Sequence, residues 1–232
     1  MSRQQSLRIP ILAVAAALTL VAVYMALMFA PSAPDVDGGD VQRIMYLHVA
    51  SAWVSYVAFA VTFVAGVMYL RTRDLQWDAY ALSSAEIGVL FCTLAITTGP
   101  MWAKAVWGVY WRWADLKLLM TLVLWLVFIA YLALRANTPD RRMGASLGAV
   151  FSSVGMLCVP LSFAANRIWT QYHPTVIATS TGGLQASMGA TLGVAVVAFT
   201  VLYVFLRLAR VGIERARDEL EELKQKAGDH LG

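Results

Sequence analysis

Two histidines, His48 and His173, lie about half the chain apart, yet each stands where a long apolar segment meets a polar boundary. Between them, Trp102, Trp107, Tyr110, Trp111 and Trp113 put five aromatic rings within twelve positions. Trp and Tyr gather at membrane–water interfaces because one end of the ring stays wet, which accounts for one or two rings per helix end and leaves the others over. Arg43, Lys104, Arg112 and Lys117 supply cations in the same region. Imidazoles facing each other across apolar rings, with cations nearby, make a site for a flat, metal-bearing ligand that carries acidic groups.

Heme fits that description. Neutral imidazole is a strong ligand for heme iron, and two of them on opposite faces give a six-coordinate centre. A zinc site usually needs three or four protein ligands, and no further Cys or His accompanies these two. The aromatic rings offer apolar faces for a macrocycle, and the cations can pair with its carboxylates. Gly108 leaves room for close approach of a ligand or of backbone. The plainer reading is that helix-end histidines are interfacial residues, and His230, in the polar tail, is one that calls for no site. Cys92 and Cys158 fall inside apolar segments without a CxxC or CxxCH arrangement, so they read as small apolar fillers. Glu86, near one end of an apolar segment, is expected to snorkel to the interface or pair with a polar neighbour, with a proton relay as the alternative. The sequence shows no nucleophile with its base, no Walker loop and no paired acid/base carboxylates, so no enzyme activity is expected.

These residues need a scaffold, and the composition names it. With 59% hydrophobic and 14% charged residues among 232, the chain is far more apolar than a soluble domain, for which about 45–50% and 25% are usual. Six segments, 9–30, 48–70, 81–99, 116–134, 145–164 and 186–209, approach or exceed the roughly 20 residues that a helix needs to cross a hydrocarbon core of about 30 Å. The first is too long for a signal-peptide core and is expected to be retained. If the N-terminus is inside, that side collects thirteen basic residues: Arg3, Arg8, Arg71, Arg73, Arg135, Arg141, Arg142, Arg207, Arg210, Arg215, Arg217, Lys224 and Lys226. The outside keeps five, Arg43, Lys104, Arg112, Lys117 and Arg167. Basic loops stay cytoplasmic, so both termini are expected inside, and the net charge of +4 reflects topology rather than nucleic-acid binding. The expected fold is all-α, an integral membrane six-helix bundle over residues 1–210, followed by a charged cytoplasmic tail, 211–232, whose charges alternate at helical spacings. Its inner connections are short and polar. The outer ones are longer, carry both histidines and the aromatic stretch, and are where the site belongs.

At these residues the chain resembles the CcmC family of heme-handling proteins in bacterial cytochrome c maturation. The likeness runs through the six-helix plan, Arg43 to Trp53, Thr98-Gly-Pro-Met-Trp102, Trp107-Gly-Val-Tyr-Trp111-Arg-Trp113, and Pro160 to His173. The resemblance implies noncovalent heme b, with His48 and His173 as axial ligands and Trp107, Trp111 and Trp113 as the platform. Trp102, Asp115, Arg43 and Lys117 join them as candidate cofactor-binding residues. It also implies a bacterial inner membrane location, a heme site facing the periplasm, transfer to the heme chaperone CcmE, and association with CcmA, CcmB and CcmD. One departure stands out. The family pattern is Trp-Gly-x-x-Trp-x-Trp-Asp, whereas here Ala114 separates Trp113 from Asp115, and Lys117 stands where an Arg commonly follows. On a helix, one inserted residue would turn the Asp115 carboxylate by about 100°.

Two other functions compete with heme transfer. A quinone-linked membrane cytochrome would place bis-histidine heme nearer the middle of the bilayer than His48 and His173. A cytochrome c heme lyase of the same superfamily is usually larger than 232 residues.

Overall fold

The computed structural model describes residues 3–32, 39–168 and 184–231. Six helices carry the chain: α1 (Arg3–Tyr24), α2 (Ile44–Thr72), α3 (Leu75–Trp107), α4 (Leu116–Asn137), α5 (Arg141–Ile168) and α6 (Ala186–Leu231), and no strand occurs among the described residues. Each, α1 together with the π-helical turn Met25–Phe29 that follows it, is long and apolar enough to cross a membrane. Inside hydrocarbon every backbone polar group must be satisfied within the segment, which is why apolar runs of this length become helices. Side-chain hydroxyls follow the same rule. Thr19, Thr93, Thr121 and Thr200 each donate to the carbonyl four residues earlier.

Five of the six apolar segments fall wholly within single helices, and the first occupies α1 and the π-helical turn Met25–Phe29 that continues it. The helices overrun the apolar windows because their ends are set by caps rather than hydropathy. Arg73, in the left-handed region at φ 58°, ends α2 and donates its N–H to the Tyr69 carbonyl. Asp74 then starts α3 by accepting from the Gln76 N–H at 2.9 Å. At the far end of α6 the helix passes position 210 without a break, so the boundary between bundle and tail is a change of charge, not of secondary structure.

α2 and α3 lie together along their length through small residues. Ser84 Oγ donates to the Ala58 carbonyl at 2.8 Å, and Gly88 lies so close to the Phe59 ring that a Cβ there would stand 2.7 Å from it. Close backbone approach of this kind holds helices together where lipid removes the hydrophobic drive. Phe59 stacks on Phe128 of α4 at 3.8 Å, and the central cluster around them includes Cys92 and Cys158, as expected of small apolar fillers. Exposed apolar side chains such as Leu20 and Leu126 cover the outer faces of α1 and α4.

Ion pairs stitch one end of the bundle. Asp78 of α3, buried at 3% exposure, accepts from Arg135 of α4 at 2.8 Å and stands 3.8 Å from Arg141 of α5. Arg210 of α6 donates to both carboxylate oxygens of Glu86, at 2.6 and 2.9 Å, and to Glu214 at 2.6 Å. Glu86 is therefore engaged by a cation, in line with the pairing expectation. The opposite end, where α2 begins, α3 ends and α4 begins, carries His48 and the aromatic stretch.

Candidate functional site

α2 begins at Ile44, four residues earlier than the apolar window suggests, so His48 sits on its second turn rather than opening it. α3 receives the ring. His48 Nδ1 lies 3.0 Å from the Ala95 carbonyl and 3.3 Å from Thr98 Oγ1. A carbonyl oxygen only accepts, so Nδ1 carries the proton in the neutral ring. Thr98 spends its own hydroxyl hydrogen on the Leu94 carbonyl at 2.6 Å and is left to accept. The proton on Nδ1 leaves a lone pair on Nε2, which has no hydrogen-bond partner among the described residues. That is the form in which imidazole binds a metal, with its second nitrogen held by an acceptor.

The aromatic stretch starts on the same helix face. Ala95, Thr98, Gly99 and Trp102 follow the spacing i, i+3, i+4, i+7, so Trp102 lies one turn beyond the His48 contact, toward the end of α3. Its ring meets Trp107 edge to face, with centroids 5.4 Å apart at 78°. α3 stops at Gly108 because that residue takes φ 74°, and its N–H donates to the Lys104 carbonyl. The glycine answers a left-handed helix cap. The space expected around it is present, but no group approaches within 4 Å of where a Cβ would stand.

Beyond the cap, Trp111 and Trp113 pair at 5.9 Å and 62°, with Trp113 standing out at 70% exposure. The rings form two edge-to-face pairs rather than one flat surface. The Arg112 guanidinium lies 5.1 Å above the Trp107 ring, and the Lys104 ammonium lies 5.4 Å from Tyr110 while donating to the Gly108 carbonyl. Trp102 Nε1 and Trp111 Nε1 are buried and have no hydrogen-bond partner among the described residues. Burying an unmet donor costs about 1–3 kcal/mol, so these two indoles are places where a partner outside the described residues would be stabilising.

Asp115 and Lys117 begin α4. Asp115 Oδ1 accepts from the backbone N–H groups of Lys117 at 3.0 Å and Leu118 at 3.2 Å, which makes it the helix N-cap. Its own N–H reaches back to the Arg112 carbonyl at 3.1 Å, so Trp113 and Ala114 form a turn. The extra residue, Ala114, is taken up in that turn before the helix starts, and the expected 100° rotation of the carboxylate does not arise. Lys117, on the first turn of α4, lies within electrostatic reach of both Asp115 and His48.

Arg43 is engaged elsewhere. Its Nη1 donates to the carbonyls of Ala26 at 2.6 Å and Ala30 at 2.9 Å, its Nε to Asp40 at 3.2 Å and its Nη2 to Ser32 at 3.4 Å. It fastens the π-helical turn that continues α1, so the cation expected to pair with a ligand's carboxylate has protein partners here. Sequence reasoning also passed over Ala95, Thr98 and Gly99. Thr98 and Gly99 belong to a motif that carries the family likeness, yet only their position against His48 gives them a part.

His173 lies outside the described residues, as does Trp169. The flanking chain is at the His48 end. Ser162, near the close of α5, bonds Tyr56 of α2, and Leu184 and Leu192, around the start of α6, pack with Tyr46 and Ala50. Among the described residues no group of three or more His, Cys, Asp or Glu could hold a metal ion.

Comparison with known proteins gives a consistent picture. The sequence profile of the family described as heme exporter protein C matches residues 1–226. Heme exporter protein C of Bradyrhizobium diazoefficiens is 31% identical over 219 residues, 93% of this chain and 83% of that protein. Heme exporter protein C of Haemophilus influenzae is 27% identical over 209 residues, covering 89% and 84%. A ccmC-like mitochondrial protein of cytochrome c biosynthesis from Marchantia polymorpha is 28% identical over 172 residues, covering 74% and 72%.

Proposed function

Since the chain belongs to the heme exporter protein C family, whose work is heme export in cytochrome c maturation, we propose that it binds heme noncovalently at the His48 end of the bundle and passes it on. His48 supplies one axial ligand through Nε2 and His173 the other. Trp102, Trp107, Trp111 and Trp113 surround the macrocycle, and Lys117 and the two unmet indole N–H groups receive its carboxylates. Asp115 serves by holding the start of α4 under the tryptophans, and Arg43 by holding α1 beside them. The heme is cargo. The chain's part is to bind it, orient it and present one edge, with no chemical step of its own.

The observation that carries this reading is His48 Nδ1 at 3.0 Å from the Ala95 carbonyl, at the end of the bundle where the tryptophans pair edge to face and two indole N–H groups are buried without a partner among the described residues. Both termini lie in the cytoplasm and the site faces the periplasm, which the thirteen-to-five division of basic residues supports. From there the heme goes to the chaperone CcmE, in a complex with CcmA, CcmB and CcmD. No Walker loop occurs in the sequence, so ATP hydrolysis belongs to another subunit.

Deleting the gene tests the assignment. Heme loading of CcmE and mature c-type cytochromes should disappear while b-type cytochromes persist. Normal c-type cytochromes in the deletion strain would remove the proposed role.

A further inference from the structure

We propose that a short face of α3, made by Ala95, Thr98 and Gly99, is the device that presents His48 to iron: the Ala95 carbonyl selects Nε2 as the ligating atom, and the bare Cα of Gly99 is what lets the ring lie there. The inference rests on the heme-ligand reading of His48 and adds to it the residues that aim the ligand.

A histidine on an isolated helix can turn its ring, and either nitrogen can carry the proton. Here α3 removes both freedoms. The Ala95 carbonyl is 3.0 Å from Nδ1, which fixes the proton there and the lone pair on Nε2. Thr98 Oγ1, at 3.3 Å, is a second acceptor for the same N–H. Gly99 sets how near the ring can come. A Cβ built on it would stand 2.8 Å from His48 Cε1 and 3.3 Å from Nδ1, but 3.7 Å from Nε2. The clash falls on Cε1 and the tight contact on Nδ1, the edge of the ring turned to α3, so a side chain at 99 pushes that edge, and the nitrogen that reaches Ala95 with it, off the helix. Groups that hold the second nitrogen of a metal-bound histidine are typically worth 10–100-fold in affinity. Gly99→Ala is therefore expected to weaken hemin binding by roughly 10–100-fold and to cost the His48–iron bond.

The experiment uses the full chain in lipid nanodiscs, loaded with hemin, and compares Gly99→Ala with His48→Gly and Gly155→Ala. The last variant is a packing control, because its Cβ would stand 2.7 Å from Phe128, within the bundle. The proposal expects Gly99→Ala to share the His48→Gly spectrum and, like it, to regain six-coordinate iron with added imidazole. Gly155→Ala should keep the wild-type spectrum. If His48→Gly changes the spectrum and Gly99→Ala does not, the positioning role is overturned while the ligand reading stands. If His48→Gly leaves the spectrum unchanged, both fall together. Heme-free wild-type protein gives a readout independent of any variant's folding. The chain has only three histidines, so 15N-histidine labelling resolves them, and His48 should show a protonated Nδ1 and a bare Nε2. The opposite tautomer would overturn the proposal.

Discussion

Arg43→Ala separates two roles that the sequence alone would merge. The π-helical turn at Met25–Phe29 closes with the Ala30 N–H on the Met25 carbonyl at 2.8 Å. Continuing that register, the next donor would be residue 31, which is proline and has no N–H. The Ala26 carbonyl is thus stranded within an apolar segment, and Arg43 Nη1 reaches it at 2.6 Å and the Ala30 carbonyl at 2.9 Å. Leaving an acceptor unmet costs about 1–3 kcal/mol, and the partial exposure of Arg43 argues for the low end. The contact to Asp40 adds little, because that carboxylate is mostly exposed. Two carbonyls together are worth about 2–3 kcal/mol. At 1.36 kcal/mol per factor of ten, local opening of the turn should rise roughly 30- to 150-fold in Arg43→Ala. Deuterium exchange of residues 25–30 in nanodiscs reads this directly. Hemin and its dimethyl ester should lose affinity for the variant by the same small factor, since no heme carboxylate is involved. Unchanged exchange, together with weakened hemin binding and normal ester binding, would refute the reasoning and return Arg43 to the ligand.

Asp115→Asn should keep most of the stability and heme loading of the wild type, because Asn caps helices about as well as Asp, whereas Asp115→Ala should lose about 1 kcal/mol in a denaturant titration. Equal damage from both variants would show that the charge matters and the cap does not. Trp111→Ala and Trp113→Ala should each weaken hemin retention without impairing membrane insertion, and full hemin occupancy in a combined Trp107, Trp111 and Trp113 variant would reduce the stretch to an interfacial belt. A single cysteine at Gly39 should react with an impermeant thiol reagent added outside intact cells, and one at Thr138 should not. Labelling at Thr138 would reverse the orientation.

The spans were legible because hydropathy is a local property, and each apolar window contains its own reason to be helical. Their ends were less so. Gly108 announces a helix stop, but Arg73 ends α2 in the left-handed region with a side chain that gives no such sign. The aromatic stretch was legible as a concentration of rings and illegible as a shape, since nothing in Trp111-Arg-Trp113 says that the rings meet edge to face. Arg43 and Lys117 look alike in the sequence as outer cations. The chain separates them, giving one to the carbonyls of the turn that follows α1 and the other to the start of α4, within electrostatic reach of His48. The pairing of Glu86 with Arg210 spans 124 positions, so the sequence could say only that such a group needs a partner. The support for His48 was hidden for the same reason: a backbone carbonyl at Ala95 and a missing side chain at Gly99 act only once α2 and α3 are side by side.

The most direct measurement is the absorption and electron paramagnetic resonance spectrum of hemin-loaded protein, wild type beside His48→Gly, His173→Gly and the double variant. Bis-imidazole ligation predicts low-spin, six-coordinate iron in the wild type. Each single variant should open one position that added imidazole refills, and the double variant should retain little heme. A double variant with the wild-type spectrum and stoichiometry would contradict the account, placing the iron elsewhere and leaving His48 an ordinary histidine near a helix end.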